Sequence, residues 1–449
     1  MVNALEPEWE ARFELKSYGF RPGRGCHDAI GAIYQVAKGA NPRRRWVLDA
    51  DLAAAFDRID HDHLLRQLGT FPARDLIAGW LKAGAVEKGR FTPTEQGTPQ
   101  GGVVSPLLLN VALHGMEQAA GVRYLKAGSD AILTRSNSPV LIRYADDLVV
   151  LCHSRHDAEQ VKARLARWLA PRGLAFNEGK TQIVTLDDGF DFLGVTVRRQ
   201  SGKLLIKPSK AAVRRIRERL KTEMRALRGS NAQAVLHRLN PIVRGWSAYY
   251  RSVVSSDVFT SLDDYMWKLT YKWARRGHAN KPKHWVVTRY FGRFNKSRQD
   301  QWVFGDRDNG AYLVKFAWTK IVRHQMVTGK ASPDDPAMAE YWANRRRKGS
   351  ALPMDRIRLR LLKAQDGLCP LCGELLLHAD HPPQSPSDWE QWLVATRMTM
   401  LNKQIVLQVD GTPDEVNLRL THAHCQRQHY AAHGSSPALL PVSEPSGLA

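Results

Sequence analysis

The sequence feature that most constrains the fold is a pair of adjacent carboxylates set between two apolar runs. Asp146 and Asp147 follow Val140-Leu141-Ile142 and Tyr144, and they precede Leu148-Val149-Val150-Leu151. Short apolar runs on either side of a tight turn are typical of two buried β-strands joined as a hairpin. Two like charges beside buried strands lose hydration and raise each other's pKa, so divalent cations are expected to compensate them. The alternative is a solvated turn, in which aspartate is common.

The charge balance of the chain points to a polyanionic partner. The 449 residues are 43% hydrophobic and 24% charged, as in an ordinary globular protein, but the net charge of +22 is far from ordinary. Residues 201–300 alone hold 23 Lys or Arg against 6 Asp or Glu. No apolar run reaches the length of a membrane span, about 18 residues, and no signal-peptide pattern opens the chain. Nucleic acid is therefore favoured over a membrane as the partner.

The cysteines favour a metal site over a disulfide framework. Cys26 and Cys152 are isolated, and the remaining three of the five cysteines lie near the C-terminus. This pattern suits a reducing cytosol. The runs Cys369-Pro370-Leu371-Cys372 and His422-Ala423-His424-Cys425 have the spacing of two halves of a tetrahedral zinc site. The predicted structural zinc ligands are Cys369, Cys372, His422 and Cys425.

A second acidic strand is predicted at Trp46–Leu52. Asp49 and Asp51 lie two residues apart, hence on one face of that strand. If Asp51 lies beside the Asp146-Asp147 turn in one sheet, three carboxylates meet and can hold two Mg²⁺ ions for phosphoryl transfer from a nucleoside triphosphate to a 3′ hydroxyl. Asp51 and Asp146 are the expected metal ligands, and Asp147 completes the catalytic set. Phe56, five residues after Asp51, is placed to close on the sugar and exclude a 2′ hydroxyl.

Two glycine-rich loops add candidate contacts to phosphates and nucleotides. The first, Ser17 to Asp28, interleaves glycines with Arg21 and Arg24 and is predicted to bind phosphates, although a plain surface turn is the alternative. The second, Gln96 to Pro106, contains Gly101 and Gly102 next to Gln100, which permits close approach of a nucleotide. Its alternative is a loop that only begins a helix, which is predicted from Leu107 to about Ala119.

The region from Lys207 to about Arg276 is predicted to be helical and to contact phosphates. Trp246, Trp267 and Trp273 have helical spacing and are interpreted mostly as packing residues. The predicted nucleic-acid-binding side chains, including the two from the first loop, are Arg21, Arg24, Arg214, Arg215, Arg244, Arg251, Arg275 and Arg276.

These motifs, in this order, resemble the reverse transcriptases of bacterial group II introns. The resemblance is carried by the Ser17–Asp28 block, Asp51 with Phe56, Thr98 to Pro106, Tyr144 to Asp147, Gly179-Lys180-Thr181, Phe192-Leu193-Gly194, Lys207 to Lys210 and Arg244 to Tyr250. It implies an α+β polymerase palm of the right-hand reverse transcriptase fold with truncated fingers, then an all-helical thumb or maturase domain. The C-terminal cysteine unit resembles the family's zinc-binding HNH-like ββα endonuclease domain.

The resemblance also implies domain limits. These are a palm with partial fingers at 1–200, a thumb or maturase domain at 201–290 and a basic DNA-binding region and linker at 291–354. An HNH-like zinc domain at 355–434 and a disordered tail at 435–449 complete the expected organisation.

The resemblance further implies an RNA-directed DNA polymerase and maturase that binds group II intron RNA, assists splicing and copies that RNA at a DNA target. Nucleotide binding is expected of Phe56, Gln100, Tyr144 and Lys180. The expected cofactors are two Mg²⁺ ions in the palm and Zn²⁺ in the C-terminal domain. The expected partners are intron RNA, target DNA with primer-template, dNTP and a second copy of the chain in a homodimer, in the bacterial cytosol or nucleoid.

Two departures from the family pattern are expected to matter. The family's fingers segments precede the first block found here, and the chain is expected to start too late to contain them. Glu6 and Phe13 are expected near the junction of fingers and palm. The nuclease histidine pair is replaced by Ile405 to Gly411, although Asn417 is present. A zinc-stabilised DNA-binding remnant is therefore favoured over an active nuclease. The alternative functions are an RNA-binding splicing factor with an inactive polymerase, and a DNA-binding protein dominated by the HNH-like domain.

Overall fold

The computed structural model divides the chain into two compact units. The first comprises Met1–Lys210 and Arg323–Pro336, and the second comprises Ala211–Val322 and the described residues that follow Pro336. The predicted region 291–354 is thus shared between the units. The described residues are 1–87, 90–92, 94–98, 102–127, 131–295, 297–347, 356–365, 367–374, 376–377, 383–401, 404–410 and 417–433.

The first unit alternates helices and strands, as its sequence predicts. Its helices are α1 (Val2–Arg12), α2 (Cys26–Ala37), α3 (Ala55–Arg58), α4 (His61–Leu68), α5 (Arg74–Lys82), α6 (Ser105–Ala112), α7 (Met116–Ala120) and α8 (Arg155–Leu169). Its strands are β1 (Trp46–Asp51), β2 (Ala85–Glu87), β3 (Arg90–Thr92), β4 (Tyr124–Ala127), β5 (Ala131–Thr134), β6 (Val140–Tyr144), β7 (Asp147–Cys152), β8 (Gln182–Thr185), β9 (Phe190–Phe192), β10 (Val195–Gln200) and β11 (Lys203–Pro208).

The central sheet of the first unit has the strand order β6-β7-β1-β8. All three of its pairings are antiparallel. Val47 and Leu48 of β1 and the run Leu148 to Leu151 of β7 are at most 1% exposed, which explains their continuous apolar sequence. Each such side chain contributes about 1.5–3 kcal/mol when fully buried. The sheet is therefore a rigid base for the residues at its ends.

Helix α8 covers this sheet with one apolar face. Its buried residues recur at helical spacing, as expected of an amphipathic helix: Ala158, Val161, Leu165 and Leu169. Ser154 caps its first turn, since the Ser154 Oγ accepts a hydrogen bond from the Asp157 backbone N at 3.1 Å. Gly173 ends the segment with φ of 73°, a conformation that favours glycine.

The second unit is mostly helical. Its helices are α9 (Lys210–Ala226), α10 (Ala232–Tyr250), α11 (Ser256–Gly277), α12 (Lys283–Tyr290), α13 (Ala339–Arg347), α14 (Arg356–Ala364), α15 (Pro386–Leu401) and α16 (Ala423–His433). Two short pairs of strands accompany them: β12 (Phe291–Gly292) with β13 (Val303–Phe304), and β14 (Ile405–Asp410) with β15 (Asn417–His422). Within the described residues, every helix is too short or too polar to cross a lipid bilayer.

Aromatic residues form much of the core of this unit. Trp246 is 4% exposed and makes edge contacts with Phe259 and Phe316, at centroid distances of 5.9 and 5.8 Å. The indole N–H of Trp273 donates to the carbonyl of Leu227 at 2.8 Å. Both contacts agree with the interpretation of these tryptophans as packing residues.

Candidate active site

Three carboxylates meet at one end of the central sheet. Asp51, the last residue of β1, is the direct cross-strand partner of Asp147, the first residue of β7. Tyr144 pairs with Asp147 across the β6–β7 hairpin, so Ala145 and Asp146 form its two-residue turn. The Leu52 backbone N donates to the carbonyl of Asp146 at 3.3 Å, which ties the turn to the end of β1. The structure thus brings together the three predicted catalytic residues.

A close backbone contact holds this turn in place. Ala145 has φ of 56°, a left-handed conformation that alanine rarely adopts. Gly19 packs directly against it, since a Cβ added to Gly19 would lie 2.2 Å from the Ala145 backbone N. Glycine is required at position 19 because no other residue fits between the loop and the turn.

A buried arginine supports the same turn from within the protein. Arg143 is completely buried, and its Nη1 donates to the Ala145 carbonyl at 3.1 Å and to Asn110 Oδ1 at 2.9 Å. Asn110 Nδ2 in turn donates to the Gly19 carbonyl at 2.9 Å. Sequence reasoning missed Arg143 and Asn110, although each is a polar residue inside an apolar run, and such a residue usually has a specific buried partner.

The three carboxylates repel one another, so their charged forms are unfavourable. Burial, followed by the charges of Asp146 and Asp51, raises the pKa of Asp147 to about 7. Burial and the charge of Asp51 also raise the pKa of Asp146. A cluster of oxygen ligands whose charged forms are unfavourable without a cation is the donor set that hard divalent ions prefer. The residues present therefore fit the expected Mg²⁺ ions.

Lys180 supplies one positive charge to this cluster. Its Nζ donates to Asp51 Oδ2 at 2.8 Å, and this hydrogen bond raises the pKa of Lys180. The Lys180 side chain is 67% exposed, whereas that of Asp51 is 15% exposed. The lysine therefore reaches the carboxylate from solvent and can exchange it for another anion.

Phe56, five residues after Asp51 in the chain, forms an aromatic pair with Phe20. Phe56 is partly buried, and its ring makes an edge contact with Phe20 at a centroid distance of 6.0 Å. Phe20 is 42% exposed and has φ of 57°, a strained conformation that is common at functional sites. Sequence reasoning did not single out Phe20, which follows the glycine that packs on the catalytic turn.

Of the two other predicted nucleotide-binding residues, Tyr144 and Gln100, the structure describes only Tyr144. Tyr144 is half-buried at the end of β6, directly before the turn. The Thr98 backbone N donates to the Phe56 carbonyl at 2.6 Å, so the predicted nucleotide loop begins beside Phe56. Gln100 lies outside the described residues.

The predicted phosphate contacts of Arg21 and Arg24 are wrong. Both residues are buried, 3% and 2% exposed, and both face Glu10 of α1. Arg21 Nη2 lies 2.7 Å from Glu10 Oε1, and Arg24 Nε lies 3.6 Å from the same atom. Arg24 Nη2 also donates to the Gly329 carbonyl at 2.9 Å. These two cations stabilise the loop from inside, because a buried carboxylate requires a paired charge.

The predicted arginines of the second unit lie at its surface to different degrees. Arg251 and Arg275 are half-buried, and the remaining four are exposed: Arg214, Arg215, Arg244 and Arg276. An exposed guanidinium can contact phosphate directly, so this distribution is compatible with the predicted RNA-binding role.

The four predicted zinc ligands also come together. One ligand atom from each of Cys369, Cys372, His422 and Cys425 lies within 4.8 Å of the others. His422 ends β15, and Cys425 lies in the first turn of α16. The Cys369 turn is closed by the Gly373 backbone N, which donates to the Cys369 carbonyl at 2.8 Å. Three thiols and an imidazole at these distances form a candidate metal site, as their sequence spacing predicts.

Two family models match the chain. Residues 1–197 match the family described as reverse transcriptase (RNA-dependent DNA polymerase). Residues 213–291 match the group II intron, maturase-specific domain. The first match contains the carboxylate cluster, and the second contains α10 and α11.

Parts of this chain are similar to curated relatives and to a solved structure. Protein YkfC of Escherichia coli is 34% identical over 45% of this chain and 60% of its own length. The group II intron-encoded protein LtrA of Lactococcus lactis is 40% identical over 25% of this chain and 19% of its own length. The chain thus spans from about a fifth to three fifths of these relatives. Apo telomerase from Candida tropicalis is similar with a TM-score of 0.36 and 12% identity, over 64% of this chain and 50% of that chain.

Proposed function

We propose that this chain, which belongs to the group II intron-encoded family of reverse transcriptases and maturases, copies RNA into DNA and assists the splicing of its intron. The observation that carries the polymerase assignment is the cross-strand pairing of Asp51 with Asp147 beside the turn that holds Asp146. Carboxylates brought together from two strands are what nucleotidyl transfer with two metal ions requires.

The residues of the chain provide the site for this reaction. Two Mg²⁺ ions held by Asp51 and Asp146 would neutralise the triphosphate and activate the primer 3′ hydroxyl. Asp147 would help to hold or orient these ions, and Arg143 and Gly19 fix the turn that carries Asp146. Lys180 is placed to leave Asp51 and contact an anionic phosphate of the incoming dNTP. Phe56, packed on Phe20, excludes the 2′ hydroxyl of a ribonucleotide.

The exposed arginines of the second unit support intron RNA as the polyanionic partner. They also favour the alternative that the chain acts in splicing as an RNA-binding protein without polymerase activity.

Primer extension separates the two functions. With a DNA primer annealed to an RNA template and Mg²⁺, we expect dNTP incorporation by the wild-type chain and none by Asp146→Ala. Extension that Asp146→Ala leaves unchanged would contradict the assignment of the carboxylates, and RNA binding without extension would support the splicing factor.

The C-terminal segment is proposed to be a zinc-stabilised, HNH-like unit that contacts target DNA. The antiparallel pair β14–β15 is followed by α16, a ββα order, and the four ligands connect its end to the Cys369 turn. Zn–S bonds of about 2.3 Å place tetrahedral ligand atoms roughly 4 Å apart, which the distances here permit. Metal analysis should find about one zinc per chain, lost in Cys369→Ser and retained in Cys152→Ser. A wild-type chain without zinc would refute the site.

A further inference from the structure

An exposed tryptophan of the second unit, Trp302, contacts α11, a helix that also carries several exposed cations. Trp302 lies beyond the segment that matches the maturase-specific domain. Trp302 is 53% exposed, although the next two residues, Val303 and Phe304 of β13, are 1% and 3% exposed. Its backbone position is therefore fixed by the strand, while its ring remains in contact with solvent. Isolated exposed apolar residues are common, so the exposure of Trp302 indicates a binding site only together with the residues around it.

The ring of Trp302 contacts one member of an aromatic cluster. It makes an edge contact with Trp267 of α11, with centroids 6.2 Å apart and planes at 82°. Trp267 stacks on Tyr271 at 5.4 Å, and both rings contact Phe291. An edge contact leaves a face of the indole uncovered by its partner. Trp302 is thus a preorganised flat surface, which loses little rotational freedom when a second ring stacks on it.

A stripe of cations runs along α11, the helix that also carries Trp267 and Tyr271 of this cluster. Lys268, Lys272 and Arg276 follow one another at intervals of four residues, and all three are exposed. Such intervals place successive charges about 6 Å apart on one helix face. Lys268 contacts Asp264 at 2.7 Å, but both side chains are about 60% exposed. Pairs this exposed contribute about 0–1 kcal/mol, so a phosphate can replace the carboxylate.

We propose that Trp302 and this basic stripe form a binding site for single-stranded nucleic acid, in which an unpaired base stacks on the indole and the backbone phosphates lie along Lys268, Lys272 and Arg276. Flat aromatic surfaces beside cations bind single strands with little sequence preference, because every base has a stacking face. The positive charge of the stripe favours a nucleic acid over a protein partner. The site does not depend on the polymerase reaction, and its test needs no catalysis.

The test is equilibrium binding of the full-length chain to fluorescently labelled 12-nucleotide single strands, oligo(U) and oligo(dT), by anisotropy. One stacked base is worth about 1–3 kcal/mol, so Trp302→Ala should weaken binding by about 5- to 150-fold, whereas Trp302→Phe should retain most of the affinity. Trp80→Ala is the matched control, since Trp80 is 44% exposed on α5 of the first unit. It should bind like the wild type. Lys272→Ala should reduce the dependence of affinity on salt by about one counterion.

A strand with abasic positions separates stacking from charge. The wild-type chain should bind it about as weakly as Trp302→Ala binds the intact strand, and Trp302→Ala should lose nothing further. If Trp302→Ala proves unstable in a melting experiment, Trp302→Leu, which keeps an apolar side chain but has no aromatic ring, replaces it in both comparisons. Comparison of oligo(U) with oligo(dT) shows whether RNA or DNA is preferred. The proposal is overturned if a folded Trp302→Ala binds the intact strand like the wild type, or if the wild-type chain does not bind single strands. It is also overturned if Trp302→Ala loses as much affinity for the abasic strand as for the intact one.

Discussion

Asp51 and Asp147 are direct cross-strand partners, although 95 residues separate them in the sequence. The pairing of β1 with β7 aligns the end of one strand with the beginning of the other, and the β6–β7 turn adds Asp146 at the same edge. The turn itself depends on contacts from outside the sheet, through Gly19 and Arg143. The geometry of the carboxylates should therefore be sensitive to changes that remove no carboxylate.

Gly19→Ala is expected to displace the catalytic turn. The added methyl group would lie 2.2 Å from the Ala145 backbone N, so the loop or the turn must move. Such overpacking costs about 1–3 kcal/mol, and nucleotide incorporation should fall by about tenfold or more while RNA binding is retained. The matched control is Gly79→Ala in α5, where an added Cβ meets nothing within 4 Å. It should leave incorporation unchanged and stabilise the helix by about 0.5–1 kcal/mol. Equal incorporation by both variants would contradict the role of Gly19.

Phe56→Ala is expected to weaken the preference for deoxyribonucleotides. Removal of the ring opens the space that a 2′ hydroxyl would occupy, and the ratio of kcat/KM for dNTP to that for rNTP should fall by about 10- to 200-fold. Phe20→Ala should have a smaller effect in the same direction, because Phe20 acts through its edge contact with Phe56. The double variant should therefore lose less than the product of the two single effects. An unchanged ratio in Phe56→Ala would refute the assignment.

Glu117 is expected to make the first unit less stable as the pH rises. It is 4% exposed and accepts hydrogen bonds from the Tyr124 hydroxyl at 2.5 Å and the Lys16 backbone N at 3.2 Å. Burial, and then the charge of Glu14, raises the pKa of Glu117 from 4.5 to about 7. The folded state holds the proton more tightly than the unfolded state, so this stabilisation is complete below the unfolded pKa and is lost as the pH rises through the folded pKa.

Urea denaturation between pH 4.5 and pH 7.5 measures this effect. Each pKa unit corresponds to about 1.4 kcal/mol, so the free energy of unfolding of the wild type should fall by about 3 kcal/mol relative to Glu117→Gln. Glu178→Gln is the control, because the Glu178 side chain is 70% exposed. The free energy of unfolding of Glu178→Gln should change with pH as that of the wild type does. Parallel profiles for the wild type and Glu117→Gln would show that folding does not raise the pKa of Glu117.

The sequence predicts local features of the site well and its buried ion pairs poorly. The apolar runs around Asp146 and Asp147 predict the hairpin, because burial on both faces requires continuous apolar sequence. The four residues of the candidate metal site follow from spacing alone. Arg21 and Arg24, by contrast, have the sequence of a surface loop, and only the fold brings Glu10 of α1 to them. A charge pattern cannot show whether a cation faces solvent or a distant carboxylate.

The limits of the helices are likewise predicted only in part by the local sequence. One helix is predicted from Leu107 to about Ala119, but α6 ends at Ala112 and α7 begins at Met116. The break lies at Gly115, which has φ of 95°. A glycine inside a predicted helix can indicate that the helix ends there. Arg143 and Asn110 could also be noticed as polar residues in apolar runs, but their common partner, the loop at Gly19, depends on tertiary structure.

The most direct test of the account is single-nucleotide incorporation by two matched aspartate variants on an RNA template with Mg²⁺. Asp146→Asn keeps the size of the side chain but removes one charge from the cluster, and incorporation should fall by at least about 1,000-fold, a barrier increase of about 4 kcal/mol. Asp49→Asn changes a residue of β1 that is bound to Gln182 Nε2 at 3.0 Å, outside the cluster, and should remain within a few-fold of the wild type. Loss of incorporation in Asp146→Asn alone is the predicted result. Equal incorporation by Asp146→Asn and the wild type would contradict the proposal that these carboxylates are the catalytic centre.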